Sequence, residues 1–238
     1  MTAFACWRIS GEQPLIIQGD LDEWTDDQHG FIVGTLKGSS VHQVIPGEPE
    51  PFINVPLMET AESQEQSTSR NEYTDAFDQY MHAFAQGEIQ KAILSRKIVL
   101  PAEHIDPDRL FKDLMARYPD AYVYLFHDPE HGTWAGASPE ILLRKRTKSF
   151  ETVSLAGTLP VSADIEDQWT QKERDEQQFV TDHILAQLKQ QGCTPTTKGP
   201  FTTTAGKVAH LKTEIRWESN SSVSTFIEAL HPTPAVCG

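Results

Sequence analysis

Segments with strand character arrive in adjacent runs along this chain, and helical segments are grouped between the runs instead of alternating with them. Tyr122–Phe126, Thr133–Ala135, Ile141–Arg144 and Phe150–Leu155 follow one another with only tight turns between, such as His127-Asp128-Pro129 and Arg146-Thr147-Lys148. That order argues against βαβ repetition and for an α+β fold, with mostly antiparallel sheets flanked by helices. At 238 residues and 38% hydrophobic content the chain can bury a substantial core.

Residues 1 to about 55 carry short apolar runs, Leu15–Ile17 and Phe31–Val33, among many turn residues, and read as a small antiparallel β portion. Ala61–Asn71 is polar and repetitive, which sets an expected boundary: a β-rich region over 1–65 and a larger region over 66–238. A helix opens at Ser69 with Glu72 as its capping box. Tyr73, Phe77, Tyr80, Met81 and Phe84 share a face, and Gly87 ends it. Lys91–Leu100 reads as a strand closed by Pro101. Asp106-Pro107 caps a further helix with Leu110, Phe111, Leu114 and Met115 inward. A long helix fits Gln168 to about Gln190, and a loop with Gly192 and Pro195 follows. Lys207–Trp217 reads as a strand, and Val223–Leu230 as a short helix capped near Asn220.

Net charge is -14, from 34 acidic and 20 basic residues, a field that repels nucleic acid and anionic membranes. It would also repel an anionic substrate, so such a ligand needs a local positive device such as a metal ion. The three cysteines, Cys6, Cys193 and Cys237, are far apart and form no zinc-ligand spacing, so reduced structural thiols are expected. There is no apolar run near 18 residues and no basic-then-apolar leader, which points to a soluble cytoplasmic protein. The last residues, Pro234–Gly238, are apolar, and such an end looks cut.

Few residues invite chemistry. Lys91 heads an apolar strand; an amine withdrawn from water can act as a base, although a lysine at a strand edge snorkelling to solvent fits as well. Gly136-Ala137-Ser138-Pro139-Glu140 builds a tight turn that presents one carboxylate. Glu173 and Glu176 stand three apart early in a helix. They suit a hard cation or, equally, a charged first turn. Leu155-Ala156-Gly157-Thr158 and His231–Gly238 offer backbone amides and threonine hydroxyls suited to a carboxylate, or are ordinary loops. No GxGxxG, P-loop, GxSxG or HExxH motif occurs.

Taken in order, Lys91–Arg96, Gly136–Glu140, Leu155–Thr158, Lys172-Glu173-x-x-Glu176, Val208–Leu211 and Leu230–Gly238 resemble the successive motifs of the chorismate-utilising enzymes, from about residue 73 to the last. The resemblance implies the aminodeoxychorismate-synthase-like fold, chorismate as a small-molecule substrate, Mg2+ as cofactor and no obligatory protein partner. A lysine at position 91 is similar to the members that add water, which make isochorismate or salicylate, and unlike those that add ammonia. Ala156 stands where aminodeoxychorismate synthases often have a nucleophilic lysine, and the N-terminal region is most similar to menaquinone-pathway isochorismate synthases. By this resemblance Lys91 is the expected base and Glu140 the acid. Glu176 and Glu173 are the expected metal ligands, and Gly157, Thr158, His210 and Ala235 line the substrate. Family members continue beyond the motif that ends at Gly238, with an arginine, a tyrosine and a late glutamate for substrate and metal. The resemblance therefore implies an incomplete catalytic domain, inactive alone; a ligand-binding or partner-binding remnant is the reading from another class.

Overall fold

The computed structural model describes residues 2–34, 42–58, 65–100 and 105–237. Strand β1 (Ala3–Arg8) pairs antiparallel with β2 (Leu15–Gly19), and short strands β3 (Asp22–Glu23), β4 (Gly30–Val33), β5 (Gln43–Pro46) and β6 (Glu50–Pro51) complete the N-terminal part. Side chains alternate across a strand, so Phe4 and Cys6 face one way while Ala3 and Ala5 face the other, and all four are buried. The first pair meets Phe111 of helix α2 (Pro107–Arg117), together with Val123 and Leu125 of β7 (Tyr122–Asp128). The second pair meets Phe31 and Ile45 of the small β3-β5-β4 sheet. With β8 (Gly132–Ser138), the larger sheet runs β6-β2-β1-β7-β8. Residues on both sides of position 65 therefore share one sheet. Burial pushes the Cys6 thiol up to about 12, with Asp108 adding to the effect, as suits a structural thiol.

Helix α1 (Arg70–Gln86) begins and ends where the sequence indicates. Ser69 and Glu72 form the reciprocal capping box, and Gly87 takes the left-handed conformation at φ 73°. Its apolar face is another matter, since Phe77, Met81 and Phe84 remain 47%, 49% and 36% exposed and no residue of the helix is buried. Lys91–Leu100, expected as a strand, joins no sheet among the described residues. Its backbone partners are side chains and one lone amide: Lys97 N–H donates to Thr68 Oγ1 at 3.0 Å, Val99 N–H to Ser67 Oγ at 2.8 Å, and Thr68 N–H donates to the Lys97 carbonyl at 2.9 Å. A strand needs a neighbour with a repeating ladder, and among the described residues none lies there.

The second sheet has the order β11-β12-β10-β9, from β9 (Arg144–Arg146), β10 (Ser149–Pro160), β11 (Thr196–Ala205) and β12 (Val208–Glu218). β11 overturns the expected loop, and Ile141–Leu143 likewise lies outside the strand expected there. The long helix expected from Gln168 is α4 (Gln171–Gln190), which starts three residues later because Thr170 caps it in a box with Glu173; a short helix, α3 (Ile165–Gln168), precedes it. α4 lays Val180, Ile184 and Leu188 against Phe150, Ile215 and Trp217. Each fully buried side chain of this size contributes about 1.5–3 kcal/mol. Helix α5 (Val223–Leu230) is capped by Ser222, two residues later than expected, and a single turn, α6 (Pro234–Cys237), follows. Every strand pairing is antiparallel and helices pack on the sheets, so the architecture is α+β. Among the described residues, no helix is long and apolar enough to cross a membrane.

Candidate active site

Strands β10 and β12 pair along their length except at one point, where the register slips between Ala156 and Thr158. The slip is a bulge at Gly157, held at φ 72°, where a side chain's Cβ would come within 3.2 Å of both the Cβ and the carbonyl oxygen of Glu173. The first turn of α4 thus leans directly on the bulge. His210 lies opposite on β12, its Nδ1 3.1 Å from the Gly157 carbonyl and 3.1 Å from Thr158 Oγ1. A carbonyl only accepts, so this contact assigns a hydrogen to Nδ1.

Around this unit lies a cavity of about 650 Å³, lined by Glu140, Gly157, Thr158, Glu176, His210 and Ala235 among others. Gly136–Ser138, expected in a tight turn, instead form the end of β8, paired with Tyr122–Tyr124, and Glu140 enters just beyond the strand, its N–H donating to Ser138 Oγ at 3.2 Å. Glu140 as a residue is exposed, yet its carboxyl end sits among enough cavity wall that burial raises its pKa above the ordinary value, against a lowering pull from His210. Other lining residues were not legible in the sequence: Arg117 ends α2, Tyr118 and Asp120 follow it, Thr204 and Ala205 end β11, and Gly206 starts the β11–β12 turn. The Tyr118–Ala121 loop is pinned from outside by Arg8 of β1, whose guanidinium donates to the Tyr118 carbonyl at 2.6 Å and the Ala121 carbonyl at 3.0 Å.

Glu173 and Glu176 part ways despite their spacing. Glu176 lines the cavity, with 36% of its side chain exposed. Glu173 does not: it is 8% exposed and turned back to cap its own helix, accepting from the Thr170 N–H at 3.1 Å and from the Thr170 hydroxyl. The Thr170 hydrogen bonds hold its carboxyl below the usual range. Lys91 also stands outside the cavity wall, beyond Glu176. Its amine, on a side chain 10% exposed, donates to the Pro234 carbonyl at 2.7 Å and lies 3.8 Å from Glu176 Oε1. There it lines a second hollow with Phe84, Ile93 and Phe179, and Glu176 borders both this hollow and the cavity.

Among the described residues no group of three or more His, Cys, Asp or Glu side chains is gathered as a metal-ligand set. Magnesium usually takes one or two carboxylates, with waters and ligand oxygens filling the remaining positions. Glu176, in the cavity wall and partly open to solvent, fits that pattern; Glu173 fits it only after releasing Thr170.

Comparison with known proteins finds related sequences and a related fold. The chain is 30% identical over 186 residues to a putative isochorismate synthase of Aeromonas hydrophila, covering 71% of this chain and 46% of that protein. It is 32% identical over 168 residues to the isochorismate synthase EntC of Escherichia coli strain K12, covering 65% and 42%. The chain therefore spans under half the length of these curated relatives. In fold, it superposes on the menaquinone-specific isochorismate synthase MenF of Escherichia coli with a TM-score of 0.78 at 18% identity, over 100% of this chain and 70% of that one. Residues 46–238 match the family described as chorismate binding enzyme, and the chain belongs to that family.

Proposed function

We propose that this chain carries part of an isochorismate synthase, which converts chorismate to isochorismate. What supports the reading most is the one wall shared by Glu140, Gly157, Thr158, Glu176, His210 and Ala235, residues distant in sequence that belong to different motifs of the family.

The reaction moves a hydroxyl from C4 of the ring to C2. Water adds at C2 and gives up a proton to a base, the double bonds shift, and the C4 hydroxyl departs as water with a proton from an acid. Glu140 is suited to the acid role, since its desolvated carboxyl favours the protonated form. Lys91 is the base in this reading. To reach the ring it must leave the Pro234 carbonyl and pass Glu176. Gly157 and Thr158 offer a bulged stretch of strand backbone and a hydroxyl to a carboxylate, and His210 fixes both through its Nδ1. Mg2+, when bound, would supply positive charge against the substrate's C1 carboxylate, with Glu176 as its ligand from this chain and Glu173 next to it.

Two observations support inactivity of this chain by itself: Lys91 is engaged outside the cavity, and Glu173 is committed to its cap. Chorismate binding, measured by calorimetry with Mg2+ present, tests the proposal. Binding that disappears in Glu176→Gln is expected, with no isochorismate formed by the chain alone. Magnesium-dependent turnover that requires Lys91 would contradict the inactivity, and salicylate with pyruvate as products would reassign the enzyme to salicylate synthesis.

A further inference from the structure

The interface between α4 and its sheet is apolar over most of its length, through Val180, Ile184 and Leu188, yet polar at one level. There Gln177 and Thr181 of α4 meet Ser154 of β10 and Thr213 of β12, residues opposite each other in the strand register. All four are buried, at 1%, 6%, 0% and 3% exposure. The Gln177 amide nitrogen lies 2.7 Å from Thr213 Oγ1, 2.9 Å from Thr181 Oγ1 and 3.3 Å from Ser154 Oγ. The Thr181 hydroxyl stands 2.9 Å from Ser154 Oγ, and the Ser154 hydroxyl donates to the Gln177 carbonyl at 3.3 Å.

Apolar packing tolerates small slips of a helix along a sheet, because dispersion contacts have no preferred direction. Hydrogen bonds in a dry interior do have one, and a buried amide that loses them is left unsatisfied. The network therefore locks both the rotation and the axial position of α4 at residue 177. The next residue toward the N-terminus is Glu176, the single carboxylate of this helix that lines the cavity among the described residues. A helix residue advances 100° per position, so a modest rotation of α4 would swing Glu176 off the cavity wall.

We infer that Gln177 is the positioning residue for Glu176: its buried hydrogen-bond network with Ser154, Thr181 and Thr213 aims the Glu176 carboxylate at a divalent cation carried in the cavity. The inference rests on Glu176 being a metal ligand. Loss of an outer partner that orients a metal ligand typically weakens metal binding by about 10–100-fold.

The test is Mn2+ affinity, followed by water-proton relaxation enhancement, together with the melting temperature of each variant. Gln177→Leu removes the donors and keeps the bulk, and Thr213→Val opens the same network from the sheet side without altering α4. Leu188→Ala, fully buried at the far end of α4, serves as a control that destabilises without touching the network. Both network variants are expected to bind Mn2+ about tenfold or more weakly, while Leu188→Ala, melting as low or lower, binds like the wild type. Network variants that bind like the wild type, or a control that loses as much affinity, overturn the inference. If Glu176→Gln binds Mn2+ no differently from the wild type, the ligand reading of Glu176 fails and takes the inference with it. A weakened Glu176→Gln beside an unaffected Gln177→Leu shows that the positioning step alone is wrong.

Discussion

Replacing Gly157 with alanine probes the point where the bulge, α4 and His210 meet. Two costs add. A residue with a Cβ at φ 72° pays about 1–2 kcal/mol for the left-handed conformation. The new methyl would also sit 3.2 Å from the Glu173 Cβ and 3.2 Å from its carbonyl. Neither neighbour is the free end of a flexible side chain, so the helix must shift, and overpacking of this kind costs about 1–3 kcal/mol. The sum is about 2–5 kcal/mol, read from urea denaturation. Gly192 supplies the control. It has φ 74° with nothing within 4 Å of its would-be Cβ, so Gly192→Ala should lose only the conformational part, about 1–2 kcal/mol. Equal losses at the two positions would refute the claim that α4 is packed tightly on the bulge. Because the shift moves the first turn of α4, Gly157→Ala should also weaken ligand binding in the cavity, and Gly192→Ala should not.

Other outcomes are equally definite. Ser69→Ala removes one half of the α1 capping box and should lower stability by about 1 kcal/mol, read from the same denaturation curves; no change would mean that α1 is not part of the cooperative unit. His127 is buried, with Nδ1 2.9 Å from Thr133 Oγ1 and Nε2 without a partner, and burial lowers its pKa against the opposing pull of Asp128. A histidine harder to protonate when folded contributes stability that is complete above the unfolded value near 6.5 and is lost as pH falls below it toward the folded value. His183 and His231 are shifted down for the same first reason. His131, raised by its hydrogen bond to Asp128, works in the opposite sense, so the test is the difference between variants: His127→Phe should lose less melting temperature between pH 7 and pH 5 than the wild type, and an unchanged slope would remove His127 from the account.

Local signals in the sequence carried local structure well. Ser69, Glu72 and Gly87 marked the ends of α1 because caps are satisfied within a few residues. The strand expected over Lys207–Trp217 is β12 within a residue at each end, and one of its faces is buried at every second residue. β11 escaped notice for the opposite reason. Thr196–Gly199 is exposed, and Gly199-Pro200 interrupts the pairing with β12 between Lys198 and Phe201, leaving no alternation to read. Lys91–Leu100 looked like a strand from its apolar content, but a strand is defined by a partner that composition cannot supply. In the site, the spacing of Glu173 and Glu176 suggested a common target. Thr170-x-x-Glu173 has the same capping-box spacing as Ser69-x-x-Glu72, a signal that could have marked Glu173 as a cap; the rotation fixed at Gln177, which turns Glu176 to the cavity, is in no spacing rule. The walls formed by Arg117–Asp120 and Thr204–Gly206 are non-local, and Arg8 anchors the first of them from the start of the chain.

The central claim is that one cavity, bordered by Glu140, Gly157, Thr158, Glu176 and His210, receives chorismate together with magnesium. Calorimetric titration of chorismate into the wild-type chain and into Glu176→Gln, each with and without Mg2+, tests it most directly. The account predicts binding to the wild type only when Mg2+ is present, and none to Glu176→Gln. Binding that is indifferent to the metal or to Glu176, or no binding under any condition, would contradict it.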